Sequence, residues 1–152
     1  MSNMTLIQLA EKENIEIIEI PMVGNIKGLY ADQVIAINKN IETTIEKECI
    51  LAEELGHHFT SSGDILDQSK MENRKQELKA KRWAVSRLIV VEDFIRAFEA
   101  RVHNREELAE FLGVTEEFIE TAIKHFQNIY GKSHTIENYK IYFDPLGVYR
   151  EL

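Results

Sequence analysis

The chain of 152 residues has one cysteine, Cys49, which excludes an internal disulfide. Positive charge is also scarce: 18 Lys and Arg stand against 26 Asp and Glu, for a formal net charge of -8 and a pI near 5.2. Binding to nucleic acid or to an anionic membrane rests on clustered Lys and Arg, so this balance argues against both and favours a basic or cation-compensated partner. No apolar run reaches the roughly 18 residues that span a bilayer, and none at the N-terminus resembles a signal peptide, so a cytoplasmic location is expected. Repeats, low-complexity tracts and linker-like stretches are missing as well.

What is present suffices for one folded unit. Hydrophobic residues make up 44% of the chain, and seven Phe, five Tyr and one Trp supply a core. The expectation is a single domain over residues 1–152, with a core in 1–100 and a helical extension in 101–152 packed on it. Residues 5–12 have helical spacing with Thr5 as N-cap, and Ile-rich 15–20 alternates as a strand. Residues 28–30 and 33–38 read as a hairpin around Ala31-Asp32, giving a small sheet of about three strands. Residues 91–102 continue as helix, 104–112 and 115–130 are helices stopped by Gly113 and Gly131, and 138–152 have strand character before Pro145. The fold class expected is α+β, a small, largely antiparallel sheet beside a helical body.

The chemistry concentrates in residues 48–60. Thr43 followed by Glu46 is a capping-box signature, so a helix starts there and runs to Thr60, where Ser61-Ser62-Gly63 stops it. On that helix Glu53 and His57 are four residues apart, stacked one turn or ~6 Å from each other, where one cation can touch both. Glu54 adjoins the first of them. This is the geometry of His-Glu-x-x-His hydrolases, in which the intervening Glu takes a proton from water, with Glu53 in place of the first His. Ile45, Cys49, Ala52 and Gly56 share the flank of that pair, and the helix-weakening Gly56 suggests a close backbone neighbour. Residues 63–73 read as a polar loop. A second helix over 74–90 carries Glu77, Ala80, Ala84 and Leu88 at 3, 4, 4 spacing, and if its alanine face meets the motif helix, Glu77 arrives as a third ligand.

The blocks ILAEELGHH, the preceding GLYADQVIAINKN and the downstream E-x-x-A-x-x-W-A (Glu77, Ala80, Trp83, Ala84) together resemble the ImmA/IrrE family of metallo-endopeptidases of phages and mobile elements. The resemblance runs from about Gly28 to Ile89, and NREELAEFLGVTEEFIETAI is similar to the helical region that follows the peptidase core in such proteins. It implies that His57 and Glu77 are metal ligands, that Glu54 is the general base, and that Glu53 stands in the first ligand position. It also implies a zinc-type cofactor and, as partner, a helix-turn-helix repressor cleaved in an anti-repressor role. Two carboxylates and one imidazole leave a nearly neutral site, so weaker zinc binding, or manganese instead, is expected.

Each of these residues also has a plainer reading. A Glu pair on a helix is usually a solvated face, and only the combination with His57 and Glu77 reverses that preference. His58 points about 100° from His57 and reads as a supporting or packing residue; a frame using Glu54 and His58 as the pair would put Leu55 in the base position. Cys49, ~12 Å from His57, is a small core residue. His103, His125 and His134 lack ligand spacing, and Trp83 and Phe94 are core. The outline of residues 104–131 suggests a helix-turn-helix, but six Glu against one Arg and one Lys would repel phosphate. The leading function is therefore a metal-dependent endopeptidase acting on a cytosolic protein. The alternatives are an inactive relative that sequesters its partner and, more weakly, a DNA-binding regulator.

Overall fold

Thr5 opens the fold as a helix cap. In the computed structural model, which describes residues 4–61 and 70–152, its hydroxyl accepts from Gln8 N at 3.1 Å while the Gln8 side chain accepts from Thr5 N at 3.0 Å. This reciprocal box satisfies two orphan N–H groups at the start of α1 (Leu6–Lys12), whose buried residues Leu6 and Ala10 lie one turn apart. Strands β1 (Glu16–Ile20), β2 (Gly28–Ala31) and β3 (Val34–Asn38) follow and form a sheet in the order β1-β3-β2. The β2/β3 hairpin turns at Asp32-Gln33, one residue later than expected. Both residues have positive φ, 48° and 63°, as a two-residue type I′ turn requires. β1 runs parallel to β3, with Ile17 opposite Ile35, a pairing that alternation alone does not announce. β3 is therefore central and paired on both sides, and β2 is an edge.

Across the hairpin Gly28 lies opposite Ile37 and Tyr30 opposite Ile35, so these four share one face. That face packs on α2 (Thr44–Thr60): a Cβ built on Gly28 would stand 2.6 Å from Ile50 Cγ2. Thr43 caps α2, its hydroxyl accepting from Glu46 N at 3.1 Å, and the helix ends at Thr60 with Ser61 as C-cap. Cys49, Ile50, Leu51, Ala52, Leu55, Gly56 and His57 are buried, so the middle of α2 is enclosed on most sides. Ile45, expected in the buried stripe, is 44% exposed in the first turn.

α3 (Lys70–Leu88) begins earlier than the expected residue 74, so 70–73 are helical where a loop was expected; the rest of that loop, 63–69, lies outside the described residues, as do Ser62 and Gly63 of the stop signal. Between 73 and 79 every residue except Gln76 is exposed, so no apolar spacing marks the early turns. Spacing becomes visible only at Ala80 and Ala84, both fully buried. Ala80 meets Gly56: a Cβ on Gly56 would fall 2.9 Å from Ala80 Cα and closer still to its carbonyl oxygen. Gly56→Ala is thus expected to lower stability by about 2 kcal/mol, the overpacking cost exceeding the gain of about 1 kcal/mol in helix propensity. Urea unfolding measures this, and a variant as stable as the parent would show that the helices have room at Gly56.

The chain divides into two compact units, Met1–Ala84 and Val85–Leu152, with the boundary inside α3. In the second unit α4 (Glu92–Glu99) is separated from α3 rather than continuous with it, and Asp93 Oδ2 accepts from Val90 N at 2.9 Å at the break. Asn104 caps α5 (Arg105–Leu112), which Gly113 closes in the left-handed region at φ 69°. Thr115 caps α6 (Glu116–Tyr130), and Gly131 follows it. The remainder is richer in strand than expected: β4 (Ser133–Ile136), β5 (Tyr139–Phe143) and β6 (Leu146–Arg150) make an antiparallel meander. Residues 101–152 are therefore not purely helical. With helices and two small, mostly antiparallel sheets, the fold is α+β.

Candidate metal centre

The close crossing at Gly56 and Ala80 sets where the neighbouring positions meet. His57 follows Gly56 and Glu77 precedes Ala80 by one turn, and His57 Nε2 stands 3.0 Å from Glu77 Oε1. The imidazole is buried and the carboxylate is largely exposed, so the pair sits at the rim of the α2/α3 contact. Glu54 lies on the side of α2 that faces β2; a Cβ on Gly28 would come 3.1 Å from Glu54 Oε2. Glu53 is half-buried, and its charge acts on both Glu54 and His57.

The electrostatics follow from this packing. Burial pushes the Glu54 carboxyl up to about 7; the His57 charge opposes the rise, and the charges of Glu77 and Glu53 add to it. Burial pulls the His57 imidazole down, but the hydrogen bond and charge of Glu77, with the charges of Glu54 and Glu53, outweigh it and leave His57 raised. Glu77 is lowered, first by its hydrogen bond to His57, against burial and with help from the charges of His57 and Lys81. An ionised carboxylate only accepts, so Nε2 carries the hydrogen that faces Glu77. That leaves His57 Nδ1, which is buried without a hydrogen-bond partner among the described residues.

Among the described residues no group of three or more His, Cys, Asp and Glu side chains stands at ion-holding spacing. The donor chemistry does fit a divalent ion at one point. An imidazole nitrogen and a carboxylate oxygen from two helices converge at 3.0 Å, close to the roughly 3.3 Å that two ligands of a tetrahedral ion keep. Of the four expected site residues, the structure thus joins His57 to Glu77 directly and sets Glu54 and Glu53 within electrostatic reach of them. His58 makes contacts of its own, to Tyr30 and Glu13. Cys49 is buried. In the second unit His134 stacks on Tyr130 at 3.8 Å and His125 packs edge-on to Phe126. Gly28 and Tyr30 were not singled out from the sequence as neighbours of the motif; the only signal was a glycine opening a strand.

A buried helix-borne imidazole is met by a carboxylate from a second helix, beside a small mixed sheet, an arrangement that suits a metallopeptidase-like protein. Comparison with protein families makes this specific: the model of peptidase family M78, described as the IrrE N-terminal-like domain, matches residues 10–124, and the chain belongs to that family. Among proteins with curated functions, none matches the chain.

Proposed function

We propose that the chain is a metal-dependent endopeptidase acting on a cytoplasmic protein, a helix-turn-helix repressor of a phage or mobile element, in an anti-repressor role. The observation that carries the reading is the 3.0 Å approach of His57 Nε2 and Glu77 Oε1 with the Glu54 carboxyl, raised to about 7, next to it. Membership of a peptidase family supports it. In this reading Glu53, His57 and Glu77 hold a divalent ion, zinc first and manganese second, which when bound polarises the scissile carbonyl and acidifies water. Glu54 takes the proton of the attacking water and returns it to the leaving amine. A carboxyl that changes charge near pH 7 is suited to both transfers. Strand β3 is paired on both sides, whereas β2 is an edge strand among the described residues and meets Glu54 at Gly28, so β2 is the strand to which a substrate peptide would add.

No helix among the described residues is long and apolar enough to cross a membrane. A DNA-binding role is opposed by α5 and α6, whose Glu106, Glu107, Glu110, Glu116, Glu117 and Glu120 are all exposed. The experiment is co-expression of parent and Glu54→Gln protein with the repressor encoded beside it. Cleavage by the parent alone supports the peptidase reading. No cleavage by either, with a stable complex on co-purification, replaces it with the sequestering alternative.

Glu53 is tested separately by metal titration. Glu53→Ala is expected to weaken zinc or manganese binding at least tenfold, because two protein ligands hold an ion less well than three. Glu53→His is expected to restore zinc and move preference away from manganese, since imidazole suits zinc and carboxylate suits the harder ion. Parent-like affinity in Glu53→Ala removes Glu53 from the ligand set.

A further inference from the structure

The side chains around His58 close into a ring. Tyr30 Oη lies 2.6 Å from His58 Nδ1, and His58 Nε2 lies 2.9 Å from Glu13 Oε1. Gln33 Nε2 donates to the Glu13 carbonyl oxygen at 2.9 Å, and Tyr30 Oη lies 3.2 Å from Gln33 Oε1. The four residues come from the C-cap of α1, the edge strand β2, the hairpin turn and the last turn of α2. Glu13 as a carboxylate only accepts, so His58 Nε2 carries a hydrogen toward it, and Nδ1 accepts the single hydroxyl hydrogen of Tyr30 across the shorter of the two tyrosine contacts.

The strand that this ring holds lies at the edge of its sheet. β2 is four residues long and, among the described residues, pairs with β3 alone, and Leu29 on its outer face is 55% exposed. It is seated on α2 at two points along the stripe Ile50, Glu54, His58, one turn apart on the helix: at Gly28, against Ile50 and Glu54, and at Tyr30, against His58. We infer that Tyr30, His58, Glu13 and Gln33 form a polar clasp that positions edge strand β2 on α2, and through it the register of a peptide strand added to that edge relative to Glu54. These are positioning residues, not catalytic ones. The substrate half of the inference rests on the peptidase reading above; the clasp itself does not.

The test uses the full chain as purified, with Tyr30→Phe, which keeps the ring against His58, and with Glu13→Ala and Glu13→Gln. In the parent, long-range nitrogen NMR is expected to show His58 with its hydrogen on Nε2; Glu13→Ala mixes the tautomers, and Glu13→Gln, which still offers an accepting oxygen, restores the parent state. Tyr30→Phe and Glu13→Ala are expected to speed amide exchange in β2 roughly fivefold to tenfold, the worth of a hydrogen bond or slightly more. Unchanged tautomer and exchange in both variants overturn the clasp. For the substrate half the probes are acetohydroxamate, which reaches only a metal, and a blocked dipeptide hydroxamate, which also needs the strand edge. Tyr30→Phe is expected to weaken the dipeptide compound about tenfold and to leave acetohydroxamate unchanged. Equal losses for both compounds, or a loss for neither, overturn the register role. If the parent binds neither compound, the peptidase reading fails, and tautomer and exchange still decide the clasp.

Discussion

Glu54→Gln is expected to abolish cleavage and, in the same molecule, to stabilise the metal-free protein above neutral pH. The amide keeps the size of the side chain but takes no proton, and loss of a general base lowers the rate by about a hundredfold to ten-thousandfold. The stability effect comes from burial. A carboxyl raised from 4.5 to about 7 holds its proton more tightly in the folded than in the unfolded chain. Its contribution is therefore fully favourable below the unfolded value and is lost as pH rises through the folded one. At pH 8 the folded protein carries a buried carboxylate that the unfolded chain solvates freely, a difference of about 3 kcal/mol. Glutamine has no such dependence. In chelator-treated protein the stability advantage of Glu54→Gln over the parent should be about 2 to 3 kcal/mol larger at pH 8 than at pH 5, measured by urea unfolding. An advantage that does not change between the two pH values would show that Glu54 is solvated and not held by burial between α2 and Gly28. In the proposed mechanism the general base and the destabilising group are one residue, as at a site where function is kept at the expense of stability.

Much of the α2/α3 junction was legible in the sequence because it depends on local spacing. Thr43 with Glu46 marks the start of α2, Gly56 marks a close approach, and Ala80 with Ala84 marks the helix able to make it; once those faces meet, the meeting of His57 and Glu77 follows from helical geometry. What was not legible depends on partners distant in the chain, or on segments without an apolar pattern. The parallel pairing of β1 with β3 leaves no mark in either strand, and it makes β3 the central strand of its sheet. Residues 70–73 carry no apolar period, so a reading by hydrophobic spacing takes them for a loop. Tyr30, His58 and Glu13 are 28 and 45 residues apart in their two contacts, with no spacing rule to connect them. The direction of His58 on the helix separates it from His57, but what it faces becomes visible only in three dimensions.

Removing Glu77 should separate two effects with opposite pH dependence. In the metal-free protein Glu77 is lowered by its bond to His57, so its contribution is present above its unfolded value of 4.5 and lost as pH falls through the folded one. His57 is raised, so its contribution is fully present below 6.5 and lost as pH rises through its folded value. The pair therefore stabilises most between about pH 4.5 and 6.5. Because 58% of the Glu77 side chain is exposed, Glu77→Ala should cost well under 1 kcal/mol even there. Metal binding runs the other way. An imidazole binds an ion only when neutral, so affinity rises as pH climbs past the His57 value, and loss of the carboxylate should lower it at least a hundredfold at pH 8. Titration of zinc at pH 8, with urea unfolding of the chelated protein at pH 5.5, gives both numbers for one variant. With Glu77 gone, burial acts on His57 against two carboxylates rather than three, so its pKa, followed by NMR, should fall from the parent value. A Glu77→Ala protein that binds zinc like the parent while its His57 pKa falls would show that Glu77 bonds His57 without serving as a ligand to the ion.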